Sequence, residues 1–151
     1  MKNKFNFQSA LLVLAFSAII GAYPGVAATK PSQPKVGDCH LLTMVELWAL
    51  NSSKKAVNCS KEHSAETYRV ALWKGAKDPN GLFEVVRRPL LESLCQSWKI
   101  KSSQFTSWSY KLPTSVQWKA GARWIRCDAY SQLEGEPANI ITYKGKKLNF
   151  K

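Results

Sequence analysis

The chain has 151 residues, 45% of them hydrophobic, with six Trp, four Cys and a formal charge of +12 from 22 basic and 10 acidic side chains. That much apolar mass for its charge excludes a disordered chain. The length leaves room for one core, which excludes a multidomain enzyme.

The first predicted element is a leader. Lys2 and Lys4 form a basic head, an apolar run of thirteen residues extends from Ala10 to Ala22, and Ala27 and Ala28 close a small-residue stretch. These features predict a secretory signal peptide over residues 1–28, cut after Ala28, and hence a secreted, extracytoplasmic protein. The apolar run falls short of the roughly 18 residues that span a bilayer. The first cysteine, Cys39, lies well beyond it, so no lipid-modified N-terminus is expected. Without Lys2 and Lys4 the charge falls from +12 to +10. Residues 29–35, with Pro31, Ser32 and Pro34, read as an extended linker, and the folded domain is expected over 36–143.

Cys39 to Leu50 is apolar-rich and fits either a strand or a helical turn. Asn51-Ser52-Ser53-Lys54-Lys55 reads as a polar turn, and Ala56 to Cys59 as a short strand. Tyr68, Val70 and Leu72 alternate with Arg69 and Ala71, the period of a half-buried strand. Lys77-Asp78-Pro79-Asn80-Gly81 is a turn signal. The main helix is expected to start at Pro89, whose missing N–H costs nothing at the first helical position. Leu90, Leu91, Leu94, Cys95 and Trp98 form its apolar stripe, with Glu92, Ser93, Gln96 and Lys99 facing away. Pro113-Thr114-Ser115 opens a short helical turn that Gly121 ends. From Arg123 to Tyr130, Ile125, Cys127 and Ala129 share one strand face, and Trp124, Arg126, Asp128 and Tyr130 the other. Residues 144–151 form a basic tail carrying Lys144, Lys146, Lys147 and Lys151. The fold class is therefore α+β: a small disulfide-stapled domain with a mostly antiparallel sheet and one main helix.

In an exported chain Cys39, Cys59, Cys95 and Cys127 read as disulfides. Three pairings exist and spacing does not choose among them. Placing Cys95 on the core face of a helix and Cys127 on a core strand favours Cys95–Cys127, leaving Cys39–Cys59. The two loops, of 20 and 32 residues, would each contribute about 3–4 kcal/mol in the loop-entropy description. The rival use of these residues is a zinc site from Cys39, His40, Cys59 and His63. The adjacency of Cys39 and His40 lacks the usual ligand spacing, and an oxidising compartment favours the bridge. No metal and no cofactor is expected.

Four pieces in order, holding all four cysteines, resemble the septum-formation domain of secreted and membrane-tethered actinobacterial proteins. They are Val36-Gly37-Asp38-Cys39, Val57-Asn58-Cys59-Ser60-Lys61-Glu62-His63-Ser64-Ala65-Glu66, the helical Cys95, and Pro113-Thr114 with Trp118, Gly121, Arg123 and Cys127. The match covers Val36 to Tyr130. The chain departs from the pattern at Glu62, where the family often has Pro, at His40, where it often has an aromatic, and in being basic where members are commonly acidic. The resemblance implies an extracytoplasmic domain linked loosely to septum formation, without established catalytic residues.

A nucleophile needs a base and an orienting group within hydrogen-bond reach. His40 and His63 are the only histidines, and no glycine-framed elbow surrounds Ser60. A carboxylate pair for glycoside hydrolysis can be drawn from Asp38, Glu46, Glu62, Glu66 and Asp128, but spacing singles out no two. Asp38 beside Gly37 reads as a backbone cap. The expectation is a non-enzymatic domain that binds an anionic cell-wall polymer or an envelope protein, drawn to it by charge. Peripheral contact with acidic lipid is compatible with that, and nucleic acid is not expected outside the cell. The candidate binding residues are His63, Glu66, Arg123, Lys144, Lys146 and Lys147. Trp108, Trp118 and Trp124 can stack on sugars or serve packing. The alternatives are an envelope hydrolase using a carboxylate pair and a secreted basic effector acting on membranes.

Overall fold

The computed structural model describes residues 32–96, 105, 107–133 and 136–146. Its main sheet has four antiparallel strands in the order β1-β2-β4-β3: β1 (Cys39–His40), β2 (Ala65–Leu72), β4 (Trp124–Tyr130) and β3 (Ser107–Lys111). Among the described residues three α-helices accompany it, α1 (Met44–Trp48), α2 (Glu84–Gln96) and α3 (Ser115–Lys119). A small hairpin pairs β5 (Gln132–Leu133) with β6 (Glu136–Ile140). This is the α+β domain expected, with α2 as its main helix and both bridges, Cys39–Cys59 and Cys95–Cys127, formed.

The apolar run after Cys39 resolves into both of its readings, a two-residue strand and then α1. Thr43 starts α1 with a capping box: its hydroxyl accepts from the Glu46 N–H and its own N–H donates to the Glu46 carboxylate. Thr114 and Gln117 repeat the device at α3, and Gly121, at φ 93°, ends that helix in the left-handed region open to glycine. Asp78 caps the short turn at Pro79–Gly81.

Three expected elements need correction. Ala56 to Cys59 is not a strand; Val57 makes one bridge to Cys39, and the chain then turns, Lys61 donating to the Asn58 carbonyl. In β2 a bulge between Thr67 and Arg69 inserts Tyr68, and an extra residue moves every later side chain to the other face. Tyr68 and Ala71 are buried, while Leu72 is 62% exposed. Helix α2 starts five residues before Pro89, where the N–H groups of Val86 and Arg87 both reach the Phe83 carbonyl. Pro89 therefore withholds an interior N–H from the Val85 carbonyl. This is tolerated because both residues are on the exposed side, where water can serve that carbonyl. Of its stripe, Leu91 and Cys95 are buried and Leu94 half-buried, but Leu90 faces solvent. Trp98 and Lys99 lie outside the described residues.

β4 is buried along its whole length, so its second face is covered too, rather than solvent-facing. Ile125, Cys127 and Ala129 join Tyr68, Leu91 and Cys95 in one core on the α2 side. On the opposite face Ala65 and Tyr130 pack with Leu42 and Leu47 under α1. No described helix is long and apolar enough to cross a membrane.

Candidate binding site

The candidate residues disperse. His63 and Glu66 come together but inside the protein, each 0% exposed. His63 Nε2 lies 3.5 Å from Glu66 Oε1, and its Nδ1 is 2.9 Å from the Lys61 carbonyl. Backbone bonds in both directions tie His63 to Tyr143, whose ring packs edge-on against the imidazole. The Tyr143 phenol is held above its ordinary value, first by burial and then by the Glu66 carboxylate. Donor atoms of Cys39, His63 and Glu66 lie within 4.8 Å of one another, but the bridge to Cys59 takes up the Cys39 sulfur and leaves no thiolate. Arg123 closes α3: its guanidinium donates to the Trp118 and Ala122 carbonyls and stacks 3.6 Å above the Trp118 ring. Lys144 and Lys146 are exposed, and Lys147 lies outside the described residues.

The α1-facing side of the sheet holds a buried polar network. Thr67 and Asp128 pair across β2 and β4, and the Thr67 hydroxyl donates to Asp128 Oδ1 at 2.8 Å. The Thr67 hydroxyl oxygen is in turn 3.1 Å from His40 Nε2. Arg126 holds the other carboxylate oxygen at 2.9 Å through Nε and 2.7 Å through Nη2. Lys111, opposite Arg126, donates to the carbonyls of Leu47 and Ala49 at 2.6 and 2.9 Å, capping the C-terminal end of α1. Burial holds the Lys111 amine down at about 8 and the His40 imidazole at about 4. Hydroxyl, imidazole and carboxylate meet here, but Asp128 grips the threonine rather than orienting the histidine, and all three side chains are buried. The network secures the fold.

An open cleft of about 500 Å³ lies at the β3 edge of the sheet. Trp108, Ser109 and Tyr110 of β3 form its floor. Trp48 of α1 and the following Leu50 form one wall, and Glu84, Arg87, Arg88 and Glu92 of α2 the other. Trp48 is 73% exposed, and its indole N–H rests on the Met44 sulfur. Arg88 is engaged with Glu92. Arg87 is only 9% exposed; its Nη1 donates to the Leu82 carbonyl, while its buried Nε has no partner among the described residues. The Ser109 hydroxyl is likewise buried without a partner among the described residues. A second, mostly apolar hollow of about 370 Å³ lies between Trp73 and Leu94. None of the five carboxylates considered for hydrolysis lines either cleft.

The sequence reading missed this site because it missed β3. The signal was there: Ser107-Trp108-Ser109-Tyr110 alternates small polar and aromatic residues with the period of a strand.

Acidic and basic residues are used differently. Asp38 accepts from the Lys35 N–H, Glu62 from Thr142, and Glu46 and Asp78 from the turns they cap. By contrast Lys55, Lys61, Lys74, Lys77 and Lys119 are exposed, as are Lys144 and Lys146. Comparison with protein-family models, curated proteins and solved structures finds no match.

Proposed function

We propose that this chain is an exported, non-enzymatic binding domain of the bacterial cell envelope, engaging an anionic wall component or an envelope protein, with a loose link to septum formation. The observation that carries it is the distribution of charge: Asp38, Glu46, Asp78 and Asp128 serve caps or a buried pair, while Lys55, Lys61, Lys74, Lys77 and Lys119 face solvent, so the field met by an approaching partner is positive. The predicted leader, the two bridges and the resemblance over Val36 to Tyr130 support the envelope setting. Sedimentation of the full chain with isolated cell walls tests it. Binding should weaken steeply as salt rises, since contacts between exposed charges are screened. Absence of wall binding, or binding indifferent to salt, would count against it.

A further inference from the structure

β3 is an outer strand, paired with β4 along one edge only. On its other side Leu50 and Asn51 reach the chain just past its end, where the Leu112 N–H donates to the Leu50 carbonyl. Along Ser107–Tyr110 no described strand pairs with that side. Unpaired N–H and C=O groups on such an edge are a template for another extended chain. The cleft runs along this edge, and its walls belong to opposite faces of the sheet. Tyr110 pairs with Cys127 on the α2 side, and Ser109 pairs with Asp128 on the α1 side. Successive side chains of an added strand would therefore face the two walls in turn.

We infer that the β3 edge receives an extended segment of an envelope protein as a fifth strand, its apolar side chains meeting Trp48 and Leu50 and an Asp or Glu meeting Arg87. This rests on the proposed function and specifies its protein-partner branch. Arg87 supplies the charge complementarity: it is buried, fixed through Nη1 to the Leu82 carbonyl, and has a spare Nε donor that a carboxylate would satisfy. The Ser109 hydroxyl, unpartnered on the other side, accommodates a polar group or backbone carbonyl there. The exposed Trp48 offers an indole face already fixed by its bond to Met44. A second copy fits less well, because Ser107–Lys111 contains no acid and two basic chains repel.

Selection of phage-displayed random peptides on the immobilised full chain should enrich sequences that alternate apolar with acidic residues. The synthesised consensus peptide should slow hydrogen exchange along Ser107–Tyr110. It should lose about tenfold or more in affinity on backbone N-methylation, and similarly with Arg87→Gln or Trp48→Ala. Trp48 is exposed, so its variant keeps the test open if Arg87→Gln fails to fold. No enrichment, binding indifferent to N-methylation, or a wall glycan as the ligand lost with Trp48→Ala would overturn the inference. So would a concentration-dependent dimer abolished by Trp48→Ala. Failure of peptide binding with wall binding retained overturns this inference alone, whereas loss of both overturns the reading beneath it.

Discussion

Thr67 has one hydroxyl proton, and it goes to Asp128. The only hydrogen left for the contact with His40 is the one on Nε2, so the imidazole is the neutral Nε2–H form and its buried Nδ1 is a lone pair without a partner. Burial is the main reason that it resists protonation down to about pH 4. An unfolded chain takes that proton near 6.5, so between the two values the unfolded state binds more protons and stability falls as pH drops. The loss should approach about 3 kcal/mol by pH 4. His40→Gln, which keeps a donor for Thr67, should remove that part of the acid sensitivity, as urea titrations at pH 7 and 4.5 would report. Lys111 works in the alkaline range. Its amine is depressed from 10.5 to about 8, so the unfolded chain again holds more protons between those values, and this group's contribution improves as pH rises through them. At pH 7 it is the ammonium that caps α1, and Lys111→Met, leaving the Leu47 and Ala49 carbonyls without their donor, should cost about 2 kcal/mol in chemical denaturation.

At the scale of elements, α2 carries a local defect and a covalent compensation. Pro89 sits inside the helix and forfeits one backbone bond, yet Cys95 on the next turns is bonded to Cys127 at the centre of the sheet, with Cα atoms 5.6 Å apart. Pro89→Ala should restore that bond and raise stability by about 2 kcal/mol, seen as an increase in Tm. Replacing Cys95 and Cys127 together by Ala should cost about 3.7 kcal/mol, against about 3.3 kcal/mol for Cys39 and Cys59, because the longer loop confines the unfolded chain slightly more. The bulge at Tyr68 shows why a strand can be read while its faces are misread. Period-two alternation over Tyr68, Val70 and Leu72 is genuine, but one inserted residue puts Ala71 inside and Leu72 outside.

For the whole molecule, the exposure of Lys55, Lys61, Lys74, Lys77, Lys119, Lys144 and Lys146 at the surface predicts that binding and stability respond to different substitutions. The double variant Lys144→Glu and Lys146→Glu should leave thermal unfolding within about 0.5 kcal/mol of the parent, since both side chains are exposed. The same variant should reduce wall association at low salt, the condition in which exposed charges act at range. Sedimentation with isolated walls at two ionic strengths separates the two effects.

By itself the amino-acid sequence determined the fold class, the inward Leu91 and Cys95 of the main helix, the helical turn opening at Thr114, the turn at Asp78, and the set of four cysteines from which two bridges formed. Each is a local matter: periodicity, a hydroxyl three residues from an N–H, a sulfur on an inward face. Only the tertiary structure decided that His63 and Glu66 are interior, that Arg126 and Asp128 on the polar face of β4 are buried as a pair, and that β3 stands at the edge with a cleft beside it. Those facts depend on which strand lies beside which and on what covers each face. Side-chain patterning along one strand carries no record of its neighbours across the sheet, so a polar face that looks solvent-bound in sequence can close over an ion pair once α1 packs onto it.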